Sequence, residues 1–215
     1  MAECGDQLLS RSSMDPLIIN LAPTGLLPTR AQAPHVPLMA EEVAVDCARC
    51  CAVGASMLHL HAADGSPSCD RAVFGELVAA IRSKVPDAII VTTTSGRRAP
   101  EVELRVSSLT LEGAQKPDMA SLLHLGTLAA DLPPQSIWSM AGIGRHQAVA
   151  NALGVAVGHG VRTGPEDNFW LDQAHTALAT NLQLVQRMAA QATALGRLLA
   201  SRVEVRQRLG LASCR

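Results

Sequence analysis

Residues 39–61, MAEEVAVDCARCCAVGASMLHLH, contain a helical pattern followed at once by a strand pattern. Glu41 and Glu42 suit the first turn of a helix, and Gly54 is typical of the position where a helix ends. The short apolar run at residues 57–61 predicts a strand. A helix that leads directly into a strand is the repeating unit of folds in which helices cover a parallel sheet, so this stretch indicates the α/β class.

The same alternation continues on both sides of this unit. Strands are predicted at residues 17–21, 57–61, 88–94, 119–125, 137–141 and 159–162. Helices are predicted at residues 39–53, 70–84, 101–111, 147–157, 180–199 and 203–209. A closed barrel of eight strand–helix units takes about 250 residues, and only six strands are predicted here. Either the sheet is open, or a barrel has lost a part near the abrupt join at residues 122–134.

The length and charge of the chain bound its organisation. Of 215 residues, 48% are hydrophobic and 17% are charged, which predicts one globular domain at residues 16–211. Residues 1–15 and 212–215 are predicted to be tails. The first of these is polar and lacks the apolar stretch of a signal peptide. Since Met14 stands just before the first predicted strand, the start at Met1 and a start at Met14 both remain open.

Composition also argues against two classes of partner. The 18 Lys and Arg residues balance 19 Asp and Glu residues and are scattered, which is not the basic surface that nucleic acid requires. No run of about 20 apolar residues predicts a membrane span. Cys47, Cys50 and Cys51 share one face of a predicted helix, where cysteine usually acts as a small apolar residue. Reduced, structural cysteines favour a cytoplasmic location.

A pair of histidines gives the chain its first chemical signal. His59 and His61 lie two residues apart in a predicted strand, so both imidazoles project to the same side. Glu166 follows the last predicted strand, and the carboxyl ends of parallel strands meet at one edge of a sheet, where ligands bind. Two histidines and one carboxylate form a common catalytic zinc set. The same three ligands also suit Fe(II), and both metals stay open at this point.

Seven segments together carry a family resemblance. They are LAPTG (21–25), PHVP (34–37), GASMLHLH (54–61), TTSGR (93–97), KPDM (116–119), AGIGR (141–145) and VRTGPEDN (161–168). In this order they resemble the β-keto acid cleavage enzyme family, which includes the 3-keto-5-aminohexanoate cleavage enzymes. The resemblance implies a TIM barrel, (β/α)8. It also implies a Zn²⁺-dependent acyltransferase that converts a β-keto acid and acetyl-CoA, its co-substrate, to acetoacetate and a new acyl-CoA.

The resemblance also implies roles for individual residues. It assigns His59, His61 and Glu166 to the zinc ion. Arg162 and Asp167 match the family's catalytic arginine and aspartate, the aspartate being the candidate for proton transfer. Substrate binding is implied for Thr93, Ser95 and Gly96, and contact with the phosphates of CoA for Gly142, Gly144 and Arg145.

The chain departs from the family in one large respect. Members carry roughly 70 more residues after the KPDM segment, which corresponds to two strand–helix units and leaves an incomplete barrel of about six. Ala63 stands where an arginine is usual, and Leu27 where some members have glutamate. We therefore also consider a catalytically impaired member that retains a metal site or serves as a structural subunit, and a metal-dependent oxo-acid lyase. Exposed barrel edges predict a homo-oligomer.

Overall fold

The computed structural model describes residues 15–25, 30–61, 70–92, 106–111, 119–133 and 135–212. The strands in these ranges are β1 (Ile18–Leu21), β2 (Met57–Leu60), β3 (Ile90–Thr92), β4 (Val106–Leu111), β5 (Ile137–Gly142) and β6 (Gly160–Thr163). The α-helices are α1 (Ala40–Ala52), α2 (Arg71–Lys84), α3 (Met119–Ala130), α4 (Gln147–Val157), α5 (Asn181–Ala194) and α6 (Arg202–Arg208). None of the helices in these ranges is long and apolar enough to cross a membrane.

The strands form one parallel sheet in the order β3-β2-β1-β6-β5-β4. This is the order of a barrel that has been opened between β3 and β4, and within the described ranges no pairing joins those two strands. The fold is therefore α/β of the incomplete barrel type. The first and last strands lie side by side at the centre, where Ile18 pairs with Gly160 and Leu21 with Thr163.

The two faces of the sheet bury different sets of side chains. Ile19 and Leu21 of β1 belong to the main core, which packs the sheet against α1, α2, α4 and α5. Ile18 points to the opposite face, as the alternation of side chains along a strand requires. There it packs in a smaller cluster with Met57, Val205, Ile89, Ala200 and Leu209. Helix α6 thus covers this second face, the inner face of the incomplete barrel, at the amino ends of the strands. It leaves the carboxyl ends of the strands for a site.

Two of the predicted elements are wrong in type. Residues 106–111 form strand β4, although a helix is predicted over residues 101–111, because polar and apolar residues alternate over SLTL (108–111) and the segment contains β-branched Val106 and Thr110. Residues 119–125 begin helix α3, although a strand is predicted there, because this stretch contains Met, Ala and three Leu residues, which favour helices. The other predicted strands and helices form, with ends that shift by a few residues.

Cysteines of α1 serve as core residues, as the sequence predicts. Cys47 and Cys50 are fully buried in the main core, and Cys51 packs against it. Burial raises the pKa of both buried thiols above its ordinary value. A buried thiol that stays protonated is unreactive, so these residues contribute apolar contacts.

The inner closure by α6 can be tested with two valines of that helix. Val205 is completely buried, whereas Val203 is 61% exposed. We expect Val205→Ala to lower the free energy of unfolding by about 2 kcal/mol, because it removes two methyl groups from a packed cluster. The same change at Val203 should cost less than about 0.5 kcal/mol. Urea unfolding measures both, and equal effects would show that α6 does not close the sheet.

Candidate metal centre and catalytic loop

The site is assembled at the carboxyl ends of two strands that flank β1. His59 lies in β2, and His61 follows its last residue. Arg162 lies in β6, and the turn that follows this strand carries Glu166 and Asp167. Since β2 and β6 both pair with β1, the sheet brings together residues that are about a hundred positions apart in sequence.

The structure brings His59, His61 and Glu166 into a single cluster. Nε2 of His59 and Nε2 of His61 are 3.3 Å apart. Oε1 of Glu166 lies 2.9 Å from Nε2 of His61 and 3.8 Å from Nε2 of His59. The three side chains are mostly buried, and one ligand atom from each lies within 4.8 Å of the others. Two imidazole nitrogens and a carboxylate oxygen therefore converge on one point.

The chemistry of these donors fits a divalent metal ion. The second carboxylate oxygen of Glu166, Oε2, is buried and has no hydrogen-bond partner among the described residues. Such an atom is costly to bury unless something satisfies it. Burial lowers the pKa of His59 to about 4, and the charge of Arg162 acts in the same direction. This imidazole is therefore neutral at physiological pH, which is the form that binds a metal.

Arg162 joins the cluster of His59, His61 and Glu166 to Asp167. Its Nε donates to Oδ2 of Asp167 at 2.8 Å, and its NH2 group donates to Oδ1 of Asp167 at 2.6 Å and to Oε1 of Glu166 at 2.8 Å. Burial raises the pKa of Asp167 to about 6, against the opposing charge of Arg162. For Glu166, the hydrogen bond with His61 and the charge of Arg162 outweigh burial, so its pKa is lowered. The neighbouring carboxyl groups thus have different proton affinities.

Two glycines make room for this arrangement. Gly164 has a φ of 151°, and a Cβ atom there would overlap the carbonyl oxygen of Ala22 in the first strand's loop. Gly25 has no such backbone constraint, but a Cβ atom there would overlap the side chain of Glu166. The sequence alone predicts no role for these glycines, although both belong to segments that carry the family resemblance. Each is needed because another group occupies the space of its missing side chain.

Gln147 is a further residue that the sequence analysis missed. Its side chain is buried, and its Nε2 donates to the carbonyl oxygen of Gly164 at 2.9 Å. The same carbonyl accepts the backbone N–H groups of Asp167 and Asn168, both at 3.2 Å. Gln147 therefore holds the turn that carries Glu166 and Asp167. A glutamine at the start of a helix is usually exposed, so nothing in the sequence marked it.

The predicted phosphate-binding turn lies beside this loop. The N–H of Gly144 donates to the carbonyl oxygen of Asp167 at 2.7 Å, so it is already engaged within the protein. Gly142 is buried, and a Cβ atom there would press against the backbone of His146 at 2.6 Å. Arg145 is exposed at the surface. The three predicted substrate-binding residues, Thr93, Ser95 and Gly96, lie outside the described residues.

Comparison with known proteins identifies the class to which this fold and site belong. The sequence pattern of the β-keto acid cleavage enzyme family matches residues 16–127 and 107–211. The chain belongs to this family. The two matched ranges overlap at residues 107–127, which places a break in the family pattern near this stretch.

Individual relatives match nearly the whole chain. A 3-keto-5-aminohexanoate cleavage enzyme from Fusobacterium nucleatum subsp. nucleatum is 29% identical over 270 positions, which cover 92% of this chain and 99% of the relative. A 3-oxoadipate:acetyl-CoA acetyltransferase from Cupriavidus necator is 26% identical over 278 positions, covering 92% and 96% of the two chains. An alignment of 270 positions that contains 92% of a 215-residue chain leaves about 70 positions without a counterpart here.

A solved structure shows the same fold. The ternary complex of ObcA with C4-CoA adduct and oxalate superimposes with a TM-score of 0.62 at 14% sequence identity. The match covers 85% of this chain and 68% of ObcA. The likeness supports a TIM-barrel-type fold, and the described residues form six strands of an incomplete barrel.

The position of Arg162 between two carboxylates predicts a large effect on stability. Arg162→Gln leaves Glu166 and Asp167 buried without their cation, so we expect the metal-free protein to lose about 3–5 kcal/mol of unfolding free energy. Arg202→Gln is the matched control, because Arg202 forms a more exposed pair with Asp87 and should contribute less than about 1 kcal/mol.

A second variant separates the charge effect from lost packing. If unpaired charge is the cause, Arg162→Gln combined with Asp167→Asn should recover at least about 1 kcal/mol relative to Arg162→Gln alone. Urea unfolding in the presence of a chelator measures all of these variants. If the Arg162 and Arg202 single variants lose the same free energy of unfolding, the central role of Arg162 is contradicted.

Proposed function

We propose that the protein is a zinc-dependent acyltransferase that converts a β-keto acid and acetyl-CoA to acetoacetate and a new acyl-CoA. The observation that carries this proposal is the convergence of His59, His61 and Glu166 beside the Arg162–Asp167 pair in a member of the β-keto acid cleavage enzyme family. Relatives whose names include acetyl-CoA as a reactant support the choice of co-substrate.

In this proposal His59, His61 and Glu166 hold the zinc ion. A zinc ion supplies Lewis-acid chemistry, because it stabilises negative charge that develops on the keto oxygen of a substrate. Glu166 is kept ionised for this purpose by the hydrogen bond from Arg162 at 2.8 Å. The buried surroundings of the three ligands strengthen every electrostatic interaction at the site.

Asp167 is the proposed proton-transfer group. Its carboxylate takes a proton from the carbon between the keto and carboxylate groups of the β-keto acid, and that carbon then bonds to the thioester carbon of acetyl-CoA, which releases the CoA thiolate. The thiolate attacks the original keto carbon of the β-keto acid. The bond between that carbon and the newly acylated carbon breaks, which releases the new acyl-CoA. Asp167 then returns the proton to the acylated carbon to give acetoacetate. Arg162 orients Asp167 through two hydrogen bonds throughout.

One observation favours a second candidate function. About 70 positions of the aligned relative have no counterpart in this chain, and in the described residues β3 and β4 are not joined. A family member without that wall of the barrel would retain the metal site and lose turnover. We propose that the protein is a homo-oligomer in which another copy of the chain covers the open edges at β3 and β4, since unpaired strand edges favour association.

Incubation with acetyl-CoA and a panel of β-keto acids distinguishes the two functions. Formation of acetoacetate with any of the acids supports the acyltransferase. Zinc binding without acetoacetate formation supports the impaired member. An oxo-acid lyase would consume the acid without acetyl-CoA, so reactions without the co-substrate serve as the control.

The metal assignment predicts that the purified protein binds about one Zn²⁺ per chain. Gly25→Ala should weaken zinc binding about 10- to 100-fold, because the added methyl group displaces Glu166 while all three ligands remain. Gly75→Ala is the matched control, since a Cβ atom there has nothing within 4 Å. Competition titration with a chelator measures the affinities, with Fe²⁺ tested in parallel. Equal zinc affinity of the two variants would refute the role of Glu166.

The proposed roles of Asp167 and Glu166 predict that substitution of the first lowers turnover and substitution of the second lowers zinc binding. Asp167→Asn should keep the fold and the zinc ion and lose turnover by about 10²–10⁴, because the amide preserves shape and removes the basic oxygen. Glu166→Gln should lose zinc first. Turnover assays paired with metal analysis distinguish them. If Asp167→Asn keeps full turnover while Glu166→Gln binds zinc but is inactive, then Glu166 is the proton-transfer group and the two assignments are reversed.

A further inference from the structure

The chain leaves the catalytic turn through a loop that is folded back on itself. Trp170 pairs with Leu178 in an antiparallel bridge. The carboxylate of Asp172 accepts the backbone N–H groups of Thr176 at 3.1 Å and Ala177 at 2.7 Å. These bonds define the conformation of residues 168–180 between β6 and α5. The side chains that this loop presents are therefore held in fixed positions.

The loop presents a stack of flat rings. The rings of Trp170 and His175 are parallel within 8°, with centroids 4.9 Å apart. Phe169 lies 5.5 Å from Trp170 at an angle of 41°. Trp170 is partly exposed and His175 is exposed, so the stack is accessible from solvent. His175 has a φ of 58°, which is unfavourable for a residue other than glycine, and the turn set by Asp172 holds it there.

The stack lies close to the proposed reaction centre. Trp170 is three residues beyond Asp167, so their Cα atoms are at most about 11 Å apart. The neighbouring turn is fixed to the same place by the hydrogen bond from the N–H of Gly144 to the carbonyl oxygen of Asp167. This turn carries the exposed Arg145. Metal ligands, an exposed cation and stacked rings thus occur on adjoining segments.

We propose that the Trp170–His175 stack binds the adenine of acetyl-CoA. This inference rests on the proposed function, which makes acetyl-CoA a substrate. A purine stacks on a flat aromatic surface without needing hydrogen-bond partners, and the indole of Trp170, which His175 covers on one face, is partly exposed and offers such a surface. Arg145 would form ion pairs with the negatively charged phosphates of CoA. The acetyl end would then extend toward Asp167, so the loop would set affinity for the nucleotide part of CoA only.

The experiment compares two acyl donors on the zinc-loaded protein. Acetyl-CoA contains the adenine nucleotide, whereas S-acetylpantetheine has the same thioester without it. Trp170→Leu should weaken binding of acetyl-CoA about 5- to 150-fold, the range observed for loss of one base–aromatic stack. It should leave binding of S-acetylpantetheine unchanged. Isothermal titration calorimetry measures both affinities without any need for turnover.

Tryptophan fluorescence provides a second measurement. The chain has two tryptophans, and Trp138 is only 3% exposed. Adenosine 3′,5′-bisphosphate should quench Trp170 in the wild type and should not change the emission of Trp170→Leu, which retains Trp138. Trp170→Phe should restore most of the affinity for acetyl-CoA, because a benzene ring also stacks. Gln173→Ala, an exposed change in the same loop, is the control for general disturbance.

The outcomes separate this inference from the proposed function. If the wild type binds acetyl-CoA and Trp170→Leu binds it equally well, the ring stack is only structural and the acyltransferase proposal stands. If Trp170→Leu weakens both donors alike, the change has disturbed the site and the inference is overturned. If the zinc-loaded wild type binds neither donor, the proposed function fails together with the adenine site.

Discussion

The guanidinium group of Arg162 is the interaction on which the site depends. It lies between the carboxylates of Glu166 and Asp167, all three groups being largely buried. Without this cation, two negative charges would have to share a small space of low dielectric constant, where repulsion is strong. With it, one carboxylate can face the two histidines while the other is held at a fixed distance. The rest of the turn, including the contacts of Gly164 and Gln147, maintains this spacing.

The sheet order explains how the site persists in a chain shorter than its relatives. His61, Arg162 and Glu166 all lie on or beside strands that pair with β1. The break in the family pattern, at residues 107–127, lies between β3 and β5 along the chain. A change of length there leaves the pairing of β1 with β2 and β6 intact. The cluster of His59, His61 and Glu166 and the wall of the barrel are therefore separable parts of the fold.

The sequence was sufficient for the part of the fold where periodicity is strong. The spacing of His59 and His61 requires a shared face once a strand is assumed, and in the structure their Nε2 atoms are 3.3 Å apart. Between residues 101 and 130 the predicted helix is a strand and the predicted strand is a helix, because short apolar runs suit both and tertiary pairing decides between them. Gly25 and Gln147 were missed for another reason. Their importance comes from contacts with residues more than 15 positions away, which no local pattern records.

The central position of both β1 and β6 has a consequence for biosynthesis. A ribosome makes β1 and β2 early, but β6 follows only after about a hundred further residues. Until then one side of β1 has no hydrogen-bonding partner, and apolar side chains such as Ile18 and Ile19 lack part of their cover. Nascent chains in this state are prone to aggregate, and chaperones protect such surfaces. We therefore expect His59, His61 and Glu166 to be brought together late, when most of the chain has been made.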